Sequence, residues 1–532
     1  MVIYNQSLSI VNTSSSVGAV LHLARIEAPG TTQSRPRRSP LRFVAQPFAN
    51  QTIRAASRFA FAAALLTFVA GCGANYRPVV TAINPVGPAA QPEKFAVAIS
   101  APSTTEPGLV TFVDFSGDTV LITANIGVDP FYLVLNSGGN TGYTLNNDGT
   151  LTSFPVSTTL LTSQIAQTTL LNSNNILPLS IFPQGTFTYV TQPGSSPGGP
   201  VTTPPLGRNS IAEFAATGTS GTAVSLQQEL PINSAFSPVY VAGASGATRS
   251  FAISQAVNGG PGQVATIENT TTATIDPNPI TVGVGPVYGV ETADDRRVFI
   301  MNQTDGTVSV INAQSNALDM VPAPATNPIP VGTSPLWADF APTRNELVVA
   351  NAGNGVTPGS LSIISIPLCN PTAPINNPNC DINNPVDAVG FGTVLATVPT
   401  GINTVMVAAL QDGTQAFVAN SGNLSLPCAL PPAVPGVSTV CSVSIINLTS
   451  NTVTQTLYGL PDAQCQGTTP SSSLFICGHP AYIAATTGSP TGKVYVVSKD
   501  STNMSVIRTD TDVVDTIVPL QGNGVSVRVT AP

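Results

Sequence analysis

Charge is what this sequence has least of. Asp, Glu, Lys and Arg make up 8% of its 532 residues, against about 25% in an ordinary globular chain. Lysine occurs only at Lys94, Lys493 and Lys499. Two histidines, His22 and His479, leave little for proton transfer or metal ligation, and Trp337 is the one indole for stacking a cofactor. No Leu, Glu and Lys heptads recur, which excludes a coiled coil. Disorder requires low hydrophobicity with high charge; a 42% hydrophobic share excludes it. A net charge of −8 excludes an electrostatic nucleic-acid binder. What is plentiful is glycine and proline, 45 and 48 residues, the punctuation of a chain that turns often.

The apolar run Phe59–Gly71 is 13 residues long, too short for a spanning helix, which needs about 20. Arg54 and Arg58 precede it and Cys72 follows. A basic region, a short apolar region and a small-residue cleavage site describe a secretory signal. Val69, Ala70, Gly71 and Cys72 resemble the lipobox of bacterial lipoproteins. That resemblance implies cleavage before Cys72 and lipid attachment to its thiol, anchoring the chain to a membrane. Gly73 after the cysteine resembles the pattern for passage to the outer membrane. Residues 1–43 are not part of an ordinary signal. Either Arg35-Pro36-Arg37-Arg38 marks twin-arginine export, or translation begins downstream near Val44; the 20-residue gap to the apolar run favours the latter. The expected organisation is a leader over 1–71, a Pro-rich tether over 72–92 and a folded domain over 93–532. Losing the leader takes the 18 basic and 26 acidic residues to 11 and 25, a net charge near −14. Membrane attachment would therefore come from acyl chains and not from electrostatics.

Six cysteines follow Cys72, as Cys369 and Cys380, Cys428 and Cys441, Cys465 and Cys477. An even count in an exported chain predicts disulfides. Neighbour pairing is the simplest of the possible connectivities. A zinc site would need tighter spacings such as C-x2-C. Each closed loop would add about 3 kcal/mol if unstrained.

Self-similarity sets the expected architecture. One strand ends in a small or polar residue: Leu347-Val348-Val349-Ala350-Asn351, Ala416-Phe417-Val418-Ala419-Asn420 and Val494-Tyr495-Val496-Val497-Ser498. An alternating strand follows: Thr307 to Asn312, Ser442 to Asn447 and Met504 to Ile507. A third part carries a Pro and an apolar run: Pro335-Leu336-Trp337-Ala338-Asp339-Phe340 and Pro480-Ala481-Tyr482-Ile483-Ala484. The unit resembles the YVTN-type β-propeller repeat, and Ile329 to Pro335 resembles its "VG-x-x-P" part. The alternating strand recurs near Val110, Leu151, Ile211, Val264, Val308, Leu361, Val443 and Val506. Eight copies predict eight four-stranded antiparallel blades, with seven as the alternative because copies between 150 and 260 are degenerate. Insertions at 193–207, 367–388, 424–440 and 461–478 account for the irregular spacing. The folded domain begins on Phe95 to Ser100, a first-part strand, and stops on Val525 to Val529, a third-part strand. Pairing of these two would close the ring and leave no open edge.

Candidate chemistry is sparse. His479 could be a base at the ring mouth, but a turn histidine with a backbone partner fits better. Asp294-Asp295-Arg296-Arg297 and Asp510, Asp512 and Asp515 read as solvated turns before calcium sites. Gly194 and Gly199 have phosphate-loop spacing, but Pro200-Val201 stands where Lys-Ser/Thr is needed. No G-x-S-x-G elbow presents a serine. Among propeller relatives, quinone enzymes need several tryptophans, lyases more than one histidine, and lactonases charges in the channel. The reading is a lipid-anchored envelope β-propeller that binds or scaffolds an unknown protein or glycan partner. No cofactor, metal or catalytic residue is assigned; a lactonase-like or other hydrolase at the central channel is the alternative.

Overall fold

Strands form where the apolar alternation predicts them, and the regular structure of the described residues is almost wholly β. The structure is a computed structural model. It describes residues 95–530 apart from 158, 171–175, 195–208, 218–222, 271, 322–323, 368–389, 466–474 and 487–491. The lipobox residues Val69 to Cys72, the tether, and Cys369 and Cys380 lie outside the described residues. All described residues belong to one unit, Pro78–Pro532, and none of their helices is long and apolar enough to cross a membrane.

Eight sheets, each built on four strands in antiparallel order and three of them carrying a short fifth strand, are arranged as an eight-bladed β-propeller. The innermost strands are Asn523–Val529, Pro130–Leu135, Ile181–Gln184, Phe236–Gly243, Pro286–Glu291, Pro335–Ala341, Thr404–Ala409 and Pro480–Ala485. Each touches the next, and the last touches the first. The eight alternating segments all fall on the third strand of their blade, so eight and not seven is the number. Apolar side chains fill eight clusters, each wedged between neighbouring blades; Val97, Ile99 and Phe112 of one blade meet Leu133 and Phe154 of the next. Both faces of a blade are therefore buried, which is why charge is so scarce.

Closure follows the expected route. Asn523–Val529 forms the innermost strand of a blade whose other three strands are Phe95–Ala101, Pro107–Asp114 and Val120–Val128. Ala98 lies opposite Val527 and Ala96 opposite Val529. Lys493 of the preceding blade reaches into this one, donating to Asp118 at 2.6 Å and to the Phe115 carbonyl at 2.7 Å.

A polar network repeats inside four blades. Asn420, at the end of a second strand, donates to Ser442 and Ser444 at 3.1 and 3.0 Å and accepts from Thr404 at 2.8 Å. Asn146 likewise donates to Thr150 and Thr152, Asn302 to Thr307 and Ser309, and Asn351 to Ser360 and Ser362. This explains the terminal Asn and the alternating hydroxyls of the repeat. It also explains its glycine: a Cβ at Gly401 would stand 2.7 Å from the Asn420 side chain, and one at Gly332 would stand 2.5 Å from the Ser360 hydroxyl.

Candidate functional site at the channel

Five innermost strands carry Pro-x-aromatic near their start: Pro130 and Tyr132, Pro238 and Tyr240, Pro286 and Tyr288, Pro335 and Trp337, Pro480 and Tyr482. The innermost strand is a sheet edge, where a residue lacking N–H costs no ladder bond. In each case the pairing register slips between the Pro and the aromatic residue, a bulge. A bulge re-aims the side chain that follows it, and here that side chain turns to the ring's axis.

The rings meet there. Tyr240 and Tyr288 have centroids 4.8 Å apart; Tyr288 stacks on Trp337 at 4.1 Å and an interplanar angle of 21°. Trp337 meets Tyr482 edge-on at 5.8 Å, although the strand Thr404–Ala409 intervenes between theirs. The hydroxyls of Tyr132 and Tyr240 approach each other across the strand Ile181–Gln184. Arg528, from the closing strand, sets its guanidinium 4.5 Å from the Tyr482 centroid and 5.9 Å from that of Trp337. Contacts that skip intervening strands require the side chains to converge on the axis. Together they form an aromatic floor across the channel. Tyr132, Tyr240, Trp337, Tyr482 and Arg528 nevertheless stay partly exposed.

Burial raises the pKa of Tyr132, Tyr240, Tyr288 and Tyr482 from the usual phenol value, and neighbouring phenols add to it for each of them. The floor therefore offers neutral hydroxyls and aromatic faces, and no phenolate. Asp339, two residues beyond Trp337, is the carboxylate of this region. Burial pushes its pKa up to about 6, against the N–H groups of Ala409 and Phe340, both at 2.9 Å, and the field of Arg528. Glu291, at the far end of the strand Pro286–Glu291, is pushed up to about 9 by burial and by neighbouring Asp295.

The connections between second and third strands, and those between one blade and the next, fall on the same face of an antiparallel ring. That face carries the insertion 424–440 and the described ends of 461–478, and the aromatic positions begin just beneath it. Disulfides Cys428–Cys441 and Cys465–Cys477 staple these two insertions, as neighbour pairing predicts. His479 lies between them, within 4.8 Å of the Cys428 and Cys441 sulfurs. Those sulfurs are bonded to each other, and both ring nitrogens are engaged: Nδ1 with Asp500 at 2.7 Å and Nε2 with the Leu426 carbonyl at 3.0 Å. His479 is thus a clasp between the 424–440 insertion and the turn at Asp500, and not a base at the channel. Asp294 approaches Arg296 at 3.9 Å, Asp510 pairs with Arg508, and Asp512 accepts from Gln415.

The floor itself escaped the sequence reading. Trp337 and Tyr482 stand in the quoted third-part strands, and Arg528 in the last one, but nothing marked them as meeting. The Pro-x-aromatic recurrence was the available signal.

No protein-family model matches the sequence, and no curated protein matches it. Solved structures do. A dihydro-heme d1 dehydrogenase, NirN, in complex with DHE is 12% identical over 82% of this chain and 75% of its own, with a TM-score of 0.51. Apo AztD from Citrobacter koseri is 9% identical over 82% of this chain and 98% of its own, also at 0.51. At such identities the likeness is one of fold. The chain is a β-propeller, and its repeat maps onto the blades as the YVTN-type resemblance implies.

Proposed function

We propose that this propeller is a ligand-binding protein of the bacterial cell envelope, held there by a lipid on Cys72, and that its ligand docks on the aromatic floor of the channel. One observation carries the reading: aromatic side chains from five separate strands, with one arginine from a sixth, converge on a single spot, and all but Tyr288 remain partly exposed. Convergent aromatic and polar groups in a concavity are what binding sites are made of. The lipobox and the two stapled insertions support the envelope address. Passing envelope extract over the full chain and analysing retained small molecules by mass spectrometry tests it. Wild type should retain a species that Trp337→Ala with Tyr482→Ala releases. Labelled palmitate should enter the chain but not Cys72→Ser.

A hydrolase reading rests on Asp339, whose pKa of about 6 suits proton transfer near neutrality. It predicts lactone or ester turnover that Asp339→Asn abolishes.

A further inference from the structure

Among the described arginines, all but one have a carboxylate partner. Arg249 pairs with Glu268 and Arg297 with Asp319, each at 2.8 Å; Arg344 pairs with Glu346 at 2.9 Å and Arg508 with Asp510 at 2.5 Å. Arg296 has Asp294 at 3.9 Å. Arg528 has none within ion-pair distance among the described residues. Its Nε donates to the Leu133 carbonyl at 3.2 Å. The rest of the guanidinium lies over Tyr482 and toward Trp337. Beside it the buried Tyr482 hydroxyl approaches Ser526 and the Arg528 guanidinium without a hydrogen bond of full geometry. Asp339 does not supply the missing anion, because its two oxygens accept from backbone N–H groups.

Taking a guanidinium largely out of water is unfavourable unless an anion or hydrogen bonds compensate. A cation–π contact offsets only part of that cost. With Nε engaged, the Nη1 and Nη2 side remains for the two-pronged geometry that fits a carboxylate. Next to that fork stand the Trp337 and Tyr482 rings, which suit a flat π surface. We propose that Arg528, Trp337 and Tyr482 bind a carboxylate carried on a flat aromatic ring. The carboxylate takes the fork and the Tyr482 hydroxyl, and the ring lies against the indole. This rests on the reading of the channel floor as the ligand site and narrows its ligand class.

The test is calorimetric titration of the full chain with 2-naphthoate, its neutral analogue 2-naphthamide, and glucuronate, an anion on a non-aromatic ring. Naphthoate should bind saturably, and the other two at least tenfold more weakly. Arg528→Gln should lose naphthoate binding at least tenfold, and Arg528→Lys should keep part of it. If Arg528→Gln does not fold, the contrast among the three probes on the wild-type chain still decides. Equal binding of the amide overturns the charge requirement while leaving the channel as a ligand site. Tighter glucuronate binding overturns the flat ring. No binding by any probe overturns this proposal, whereas the function reading falls only if the extract experiment also retains nothing that the floor variants release.

Discussion

Asn420 shows what a single residue does in this fold. Its amide closes the corner of a blade, holding two serine hydroxyls of the third strand and one threonine hydroxyl of the first. All are buried, so removing the amide strands three hydroxyls away from water. An unsatisfied buried polar group costs about 1–3 kcal/mol, and the hydroxyls can partly satisfy one another. Asn420→Ala is therefore expected to lower stability by about 2–3 kcal/mol in urea unfolding, with the folded-state circular dichroism unchanged. Asn302→Ala should behave alike. A corresponding change at Ser498, which ends the same strand of another blade without this network, should cost less than 1 kcal/mol or so. The sequence displayed the Asn, the alternating hydroxyls and the glycine as a pattern, but not their meeting. They lie on different strands, and only the blade brings them together. The blades that looked degenerate between 150 and 260 carry Gln192 and Ser254 at the equivalent position. They had lost the network, not the strands, which is why the count of eight survived.

Elements outside the blades are held by clasps of a different kind. The 424–440 insertion is fixed by a disulfide and by His479, whose two ring nitrogens both face acceptors, Asp500 and the Leu426 carbonyl. Only the imidazolium can donate to both. Burial opposes the charge, but the Asp500 hydrogen bond and field outweigh it, and the His479 pKa is raised. Burial likewise opposes the Asp500 charge, and its hydrogen bonds with His479 win, so that pKa is lowered. The signs follow from linkage. The raised His479 pKa contributes stability fully present below about 6.5, the unfolded value, and lost as pH rises through the folded one. The lowered Asp500 pKa contributes stability present above its unfolded value near 4, lost as pH falls through the folded one. The clasp should thus be strongest between about pH 4 and 6.5. His479→Ala is expected to cost on the order of 1 kcal/mol there, since Asp500 is half-exposed and screened, and less above pH 8. Parallel urea titrations of both proteins from pH 4.5 to 9 check it; a difference that grows with pH would contradict the clasp. Sequence placed His479 in a turn beside Cys477 and Pro480 correctly. Its partners, 21 and 53 residues away, lay beyond any local pattern.

At the scale of the whole molecule, closure and site are one arrangement. Tyr132, Tyr240, Tyr288, Trp337 and Tyr482 come from five blades, and Arg528 comes from the strand that joins the two ends of the domain. The last strand does two things at once: it covers the edge of Phe95–Ala101 and it delivers the cation to the floor. Composition and repeat phase could predict the first role, because an unpaired edge is a liability whatever its side chains. They could not predict the second, since convergence on the axis depends on the bulge in each of the five strands that carry an aromatic residue two places after Pro. Neither role survives alone. A chain ending at Leu520 should leave Phe95–Ala101 as an open edge, expose the apolar groups that pack on Val527, and lack Arg528. Its urea midpoint should fall and its transition broaden as blades next to the gap loosen. Because the missing strand pairs only by backbone and a few side chains, a peptide spanning 521–532 should dock into the gap and restore the midpoint. The same peptide with Gln for Arg528 should restore stability, leaving the floor without its cation. Restoration by neither peptide, with an undiminished midpoint in the truncated chain, would show that this strand does not close the ring.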